Sequence, residues 1–172
     1  MANRVALSRG HGQFDKAMLI RKATIADAQS AFDIRIAAIN SRCIGYYTPR
    51  DLKEWTAGTM SANFAKMVED VCYVATVEDV VVGTGMIDLG SGKIDAIFVQ
   101  PLLMGQGIGR RMMSYLEFLA MAARLTELRL DSTLNAASFY RVVGFVGDAV
   151  STYKTQSGIS LDCIPMVKDL RI

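Results

Sequence analysis

Residues 94–113 constrain this chain more than any other stretch. The run Ile94-Asp95-Ala96-Ile97-Phe98-Val99 is apolar and reads as a strand. Gln100-Pro101 ends it, and a turn follows with glycines at 105, 107 and 109. A helical pattern then starts with Arg110 and Arg111 in its first turns. A strand, a glycine-rich loop and a helix N-terminus in that order make an anion site. Free backbone N–H groups and the positive end of the helix dipole point the same way. The open questions are which anion binds and what chemistry it brings.

Composition narrows the answer. The chain has 172 residues, 51% hydrophobic and 21% charged, which favours one folded domain with a sizeable core. A formal net charge of +2 is too weak to argue for nucleic acid or for an anionic membrane surface. No apolar run reaches the ~18 residues that span a bilayer. Cys43, Cys72 and Cys163 are odd in number, widely spaced and set in apolar surroundings, so they read as reduced thiols of a cytoplasmic protein. His11, the only histidine, lies in a polar leader, which leaves neither a Cys–His nucleophile nor a metal-ligand spacing, and no metal is expected. Residues 1–17 read as an N-terminal extension, and residues 18–172 as the single domain.

Around the central stretch the chain alternates between the two periodicities. Leu19–Ala23 reads as a first strand. Thr24, with Asp27 three residues on, opens a helix to Ile39 whose stripe is Ala28, Phe32, Ile36 and Ile39. Pro49 suits the first turn of a second helix over 49–57, and residues 61–69 a third. Val71–Val77 and Val80–Ile87 read as a hairpin turned at Glu78-Asp79. A helix over 107–123 shows Ile108, Met112, Leu116, Leu119 and Ala123 at helical spacing. Thr126–Leu130 is the next strand, Asn135–Val143 a helix stopped by Gly144, and Phe145–Tyr153 and Ile159–Val167 a closing pair of strands. The order predicts an α/β fold with a mixed sheet and helices on its faces.

Two phosphate-binding readings fit the glycine loop poorly. A P-loop ends in Gly-Lys-Ser/Thr, and this one ends in Gly109-Arg110-Arg111. A dinucleotide fold has Asp131 near the expected ribose position, but needs G-x-G-x-x-G directly after the strand. Here the spacing is G-x-G-x-G, five residues intervene, and the unit sits behind antiparallel strands.

Val99-x-Pro101 followed by Gly105-x-Gly107-x-Gly109 resembles the acetyl-CoA loop of the GNAT superfamily of N-acetyltransferases. Downstream, Leu128-Arg129-Leu130-Asp131-Ser132, Asn135-Ala136-Ala137 and Phe139-Tyr140-x-x-x-Gly144-Phe145 resemble that family's second signature. The resemblance covers residues 19–167 and is strongest over 94–145. One position departs, because the loop's usual Gln/Arg is Met104. The resemblance implies a mostly antiparallel sheet of six to seven strands with about four helices. It implies acetyl-CoA as co-substrate and a small-molecule or peptide amine as acceptor, and homodimers are common in the family. Gly105, Gln106, Gly107, Ile108, Gly109 and Arg110 would cradle the pyrophosphate. The strand residues Ile97, Phe98 and Val99 would pair with the pantetheine arm, with the N–H near Phe98 or Val99 polarising the thioester carbonyl. Tyr140 would act on the leaving thiolate as general acid, and also touch the cofactor. Asn135, with Thr133 as the rival position, would bond the arm or cap its helix. Asp95 is the leading carboxylate for a general base, ahead of Asp88 and Asp131; strand alternation predicts that it points with Ile97 and Val99. Tyr46, Tyr47, Trp55 and Tyr153 are candidates for the wall of an acceptor cleft.

Overall fold

The computed structural model describes residues 17–155 and 157–171; the expected extension therefore lies almost wholly outside the described residues. Strand β1 (Met18–Lys22) leads through a 3-10 turn at Ile25–Asp27 into helix α1 (Ala28–Arg42). The Thr24 N–H and hydroxyl both donate to the Asp27 carboxylate, at 2.8 and 3.2 Å, so the expected cap forms. Arg21 holds the same carboxylate from β1 at 2.7 and 2.9 Å. Helix α2 (Pro49–Trp55) starts with its proline in the first turn and Thr48 as cap. Helix α3 (Ala62–Val71) is capped by Ser61.

Strands β2 (Cys72–Val77), β3 (Val80–Asp88) and β4 (Lys93–Val99) form an antiparallel meander. Helix α4 (Ile108–Ala122) then crosses back to β5 (Glu127–Thr133), the short helix α5 (Ala137–Val142), and strands β6 (Ser151–Lys154) and β7 (Ser160–Asp169). The seven strands lie in the order β1-β2-β3-β4-β5-β7-β6. Every pairing is antiparallel except β4 with β5. Two cores sandwich the sheet. Val82, Ile94, Val99 and Leu128 pack with Met112, Met113 and Leu116 of α4 on one face. Val74, Val81 and Met86 pack with Ala31 and Ile34 of α1 and Val68 of α3 on the other.

Three expectations are corrected. The buried stripe of α1 is Ala28, Ala31, Ile34, Ala38 and Ile39, with Phe32 and Ile36 only half-buried. Small residues face the sheet there, and Phe32 packs edge-on against Phe64 of α3 instead. The stripe of α4 ends at Ala120, because Ala123 lies past the helix end and is exposed. The closing hairpin is much shorter than Phe145–Tyr153. Val146 makes one isolated bridge to Val167, and β6 starts only at Ser151.

Candidate active site

The parallel pair β4–β5 is the structural origin of the site. The two strands are in register only at Lys93↔Arg129 and Ile94↔Leu130. Beyond that point β4 runs on to Val99 and β5 to Thr133 without pairing to each other. On its other edge β4 stays on β3, with Thr84↔Phe98 and Gly83↔Val99, and the Gln100 N–H donates to the Val82 carbonyl at 3.0 Å. Antiparallel ladders alternate which residues bond across the pair. The Phe98 amide therefore faces β3, while the amides of Ile97 and Val99 face the side that β5 has left. Of the two expected polarising N–H groups, Phe98 is thus engaged in the sheet and Val99 is free, while the Ile97 N–H is taken up by the Tyr140 phenol.

A cavity of about 780 Å³ fills this splay, and Ile97, Phe98 and Val99 line it. Its floor continues into the glycine loop. Gly105 and Gly107 have φ of +80° and +85°, where a side chain would be strained, and no atom lies within 4 Å of a Cβ built at either position. The two glycines thus combine a left-handed backbone with open space above it. Gly107 also caps α4 without any side-chain hydrogen bond. The first N–H groups of a helix have no intrahelical acceptor, so those of Ile108, Gly109 and Arg110 open onto the cavity they line. Gln106, expected in the cradle, does not line it.

Tyr140 reaches the cavity from α5, and the Gly-Phe pair after it explains how. Gly144 takes φ +98°, its N–H donates to the Arg141 carbonyl at 3.0 Å, and the Phe145 N–H donates to the Tyr140 carbonyl at 3.0 Å. This is a Schellman ending, whose usual apolar contact spans the same two residues. Here it is the edge-to-face packing of Phe145 on Tyr140, centroids 5.7 Å apart. Phe139 flanks the ring on the other side at 5.1 Å. Burial pushes the Tyr140 phenol up to about 12, with the Ile97 backbone N–H pulling the other way.

Asn135 lines the cavity but caps nothing, since α5 starts at Ala137 with Ala136 at its N-cap. Its side-chain oxygen accepts from the Cys43 thiol at 3.4 Å. Thr133, its rival, lines the same cavity. Asp95 is placed differently from its expected position. The β3–β4 register slips between Met86↔Ala96 and Ile87↔Ile94, which leaves Asp95 as the extra residue of a bulge. The bulge resets the alternation, so Ile94, Ile97 and Val99 share the α4 face and Asp95 does not line the cavity. Crowding by surrounding atoms raises its carboxyl above the usual range; Lys93 opposes this, and Asp88 and Asp131 add to it. Asp131 pairs with Lys93 at 3.3 Å, and Asp88 is held in its turn by Gly90 and Ser91.

The opposite wall comes from α1 and α2. Ala38, Ile39, Arg42, Cys43, Tyr46 and Trp55 line it. Tyr47 stands behind Trp55, edge-to-face at 5.5 Å. Its hydroxyl donates to the Asp162 carbonyl at 2.7 Å and accepts from the Leu134 N–H at 3.1 Å, tying α1's end to β7 and to the end of β5. Arg42 and Cys43 carry no sequence signal for this role. Arg42 is brought to the loop by a contact of its Nε with the Met104 sulfur at 2.9 Å, across 62 positions of chain. Burial lifts the Cys43 thiol to about 11, so it stands protonated. Among the described residues no group of His, Cys, Asp and Glu is arranged to hold a metal ion, and no helix is long and apolar enough to cross a membrane.

Residues 43–170 match the family described as the acetyltransferase (GNAT) domain. No curated protein sequence matches the chain. Among solved structures, a GCN5-related N-acetyltransferase from Rhodopseudomonas palustris superposes with a TM-score of 0.82 at 25% identity, over 92% of this chain and 99% of its own. The PaiA N-acetyltransferase of Thermoplasma acidophilum, solved with coenzyme A, gives 0.69 at 17% identity over 89% and 99%. YncA from Salmonella typhimurium, solved with acetyl-CoA, gives 0.65 at 22% identity over 90% and 95%.

Proposed function

Because the chain belongs to the GNAT acetyltransferase family, we propose that it moves the acetyl group of acetyl-CoA onto a primary amine by direct attack in a ternary complex. The observation that carries this reading is continuity. One cavity joins the open glycine cradle, the unpaired edge of β4 and the Tyr140 ring. The cradle suits a pyrophosphate, because Gly105 and Gly107 leave room where a Cβ would stand and the α4 dipole adds attraction. The β4 edge with its free Val99 N–H suits the amides of a pantetheine arm, which would take the place β5 has vacated, beside the Ile97 N–H bonded to Tyr140. The Val99 N–H is the donor for the thioester oxygen as it gains charge.

In the transfer, the amine nitrogen forms a C–N bond to the acetyl carbon and the C–S bond breaks. The amine loses one proton, and the coenzyme A thiolate takes one up. Tyr140 stabilises that thiolate by donating a hydrogen bond. A thiol titrates near ~8.5 and this phenol at about 12, so full proton transfer from Tyr140 would cost on the order of 5 kcal/mol. The tyrosine therefore keeps its proton while it hydrogen-bonds the thiolate, and the proton that neutralises coenzyme A comes ultimately from the amine. Asp95, raised above the ordinary carboxylate range but outside the cavity wall, acts as a base only through an intervening water chain.

Replacement of Tyr140 by Phe tests the reading. Turnover with an identified amine is expected to fall at least about tenfold, while acetyl-CoA affinity changes less than about twofold. Unchanged turnover would remove Tyr140 from the chemistry. Acetyl-CoA binding with no acceptor found across an amine library would instead favour a module that binds without transferring.

A further inference from the structure

The charged side chains that line the cavity are all cationic. Arg110 lies in the first turn of α4, and Arg42 is held at the loop by Met104. Both cations stand where the phosphates would lie. Ala38, Ile39, Cys43, Tyr46, Trp55 and Phe98, which also line it, form an uncharged wall. Behind Trp55 stands a third cation, Arg35, whose Nη2 donates to the Trp55 carbonyl at 3.2 Å. Among the described residues Arg35, Arg42 and Arg110 form no ion pair. No carboxylate, Asp162 behind Tyr47 included, is among the residues that line the cavity. Asp51 accepts from Thr48, Glu54 pairs with Arg50, Asp131 pairs with Lys93, and Asp95 stands on its bulge. An ammonium entering here would lose its water and meet aromatic and aliphatic groups, with Arg42 and Arg110 the only charged side chains among the lining residues and no carboxylate.

Resting on the acetyltransfer reading, we infer that the acceptor is a weakly basic amine on an apolar body, of the α-amino type, and that lysine-like amines and polyamines are poor acceptors. Such an amine reaches the wall already neutral. At pH 7 about one α-amino group in ten is uncharged, against about one lysine ε-amine in 2,500. With no carboxylate on the cavity wall to bind the ammonium, and Asp95 reached only through water, that difference passes into rate. The ionisable groups that line the cavity are Cys43, Tyr46, Tyr140, Arg42 and Arg110. Cys43 and Tyr140 hold their protons up to about 11 and about 12.

The test compares phenylalanine amide, Nα-acetyl-lysine amide and spermidine as acceptors at pH 7, with product followed by mass spectrometry. On the same preparation, acetyl-CoA is titrated calorimetrically. The expected result is a kcat/KM for phenylalanine amide at least tenfold above the other two. Tyr46→Asp, which sets a carboxylate on the wall at an exposed position, is expected to narrow that preference at least threefold without altering acetyl-CoA affinity. A preference below tenfold, a better rate with spermidine, or a Tyr46→Asp variant of unchanged preference overturns the inference. If acetyl-CoA binds and the preference is reversed, the acceptor class alone is wrong. If acetyl-CoA does not bind, the acetyltransfer reading falls, and the inference with it.

Discussion

Tyr140 and Asp27 show how opposite environments set what a residue can do. Tyr140 is buried among Phe139, Phe145 and the β4 edge, and its raised phenol stays protonated well beyond pH 9. The kcat profile is therefore expected to show no alkaline loss assignable to this group between pH 7 and 10, and a loss with midpoint below 9 that vanishes in Tyr140→Phe would contradict the placement. Asp27 is depressed to about 2, chiefly by its hydrogen bonds from Arg21, with the Thr24 donors helping. A carboxylate depressed in the folded state stabilises above its unfolded pKa of ~4 and loses that contribution as pH falls towards 2. The depression corresponds to about 2 kcal/mol. Denaturant unfolding of Asp27→Asn is expected to show that loss at pH 7 and a flatter stability curve between pH 4 and pH 2.

Those two residues also show what a single sequence discloses. Thr24-x-x-Asp27 is a local pattern, as is Tyr140-x-x-x-Gly144-Phe145, whose glycine is required by a positive φ and whose phenylalanine clamps the tyrosine. Local geometry of this kind is written in adjacent letters. Asp95 is not, because a bulge is a property of two strands. Lys93-Ile94-Asp95-Ala96-Ile97 reads as plain alternation until β3 sets the register. Arg42 is illegible for the same reason, its place at the loop depending on a contact with Met104.

Among elements, the crossing of α4 over β3 is a tight joint. A Cβ built on Gly85 would stand 2.7 Å from the Met112 side chain and 3.1 Å from Leu116. Both side chains are fully buried, so they have little room to give way. Gly85→Val is expected to destabilise the protein by about 2 kcal/mol or more in chemical denaturation, and a neutral result would show that α4 rides higher on the sheet than described. The same joint aims the N-terminus of α4 at the splay, so the position of the cradle depends on a glycine 20 residues upstream of it. Nothing adjacent in the sequence marks Gly85 for this role, since its close neighbours come from α4. The strand expected from Phe145 failed for a related reason. Val146 finds one partner in Val167, and the backbone then leaves the sheet before β6 begins.

Over the whole molecule, the function rests on one departure from regular pairing. Six strand pairs form the sheet, and only β4–β5 is abandoned after two residues, opening the cavity between the two cores. The order of elements predicts a mixed sheet with helices on its faces, and the seven strands and five α-helices among the described residues fit that class. The extent of the splay was not legible, because it depends on where β5 turns into α5 and on Tyr47 holding that turn. The central claim is that the glycine cradle and the splay together bind acetyl-CoA. It is tested most directly by the thermal midpoint of the protein with acetyl-CoA and with NAD, for the native chain and for Gly107→Val. A ligand that binds only the folded state at a hundredfold its Kd adds about 2.7 kcal/mol. The account predicts a clear rise in Tm with acetyl-CoA, none with NAD, and loss of the rise in a Gly107→Val variant that still folds. A rise with NAD alone, or an acetyl-CoA rise that survives Gly107→Val undiminished, would contradict it.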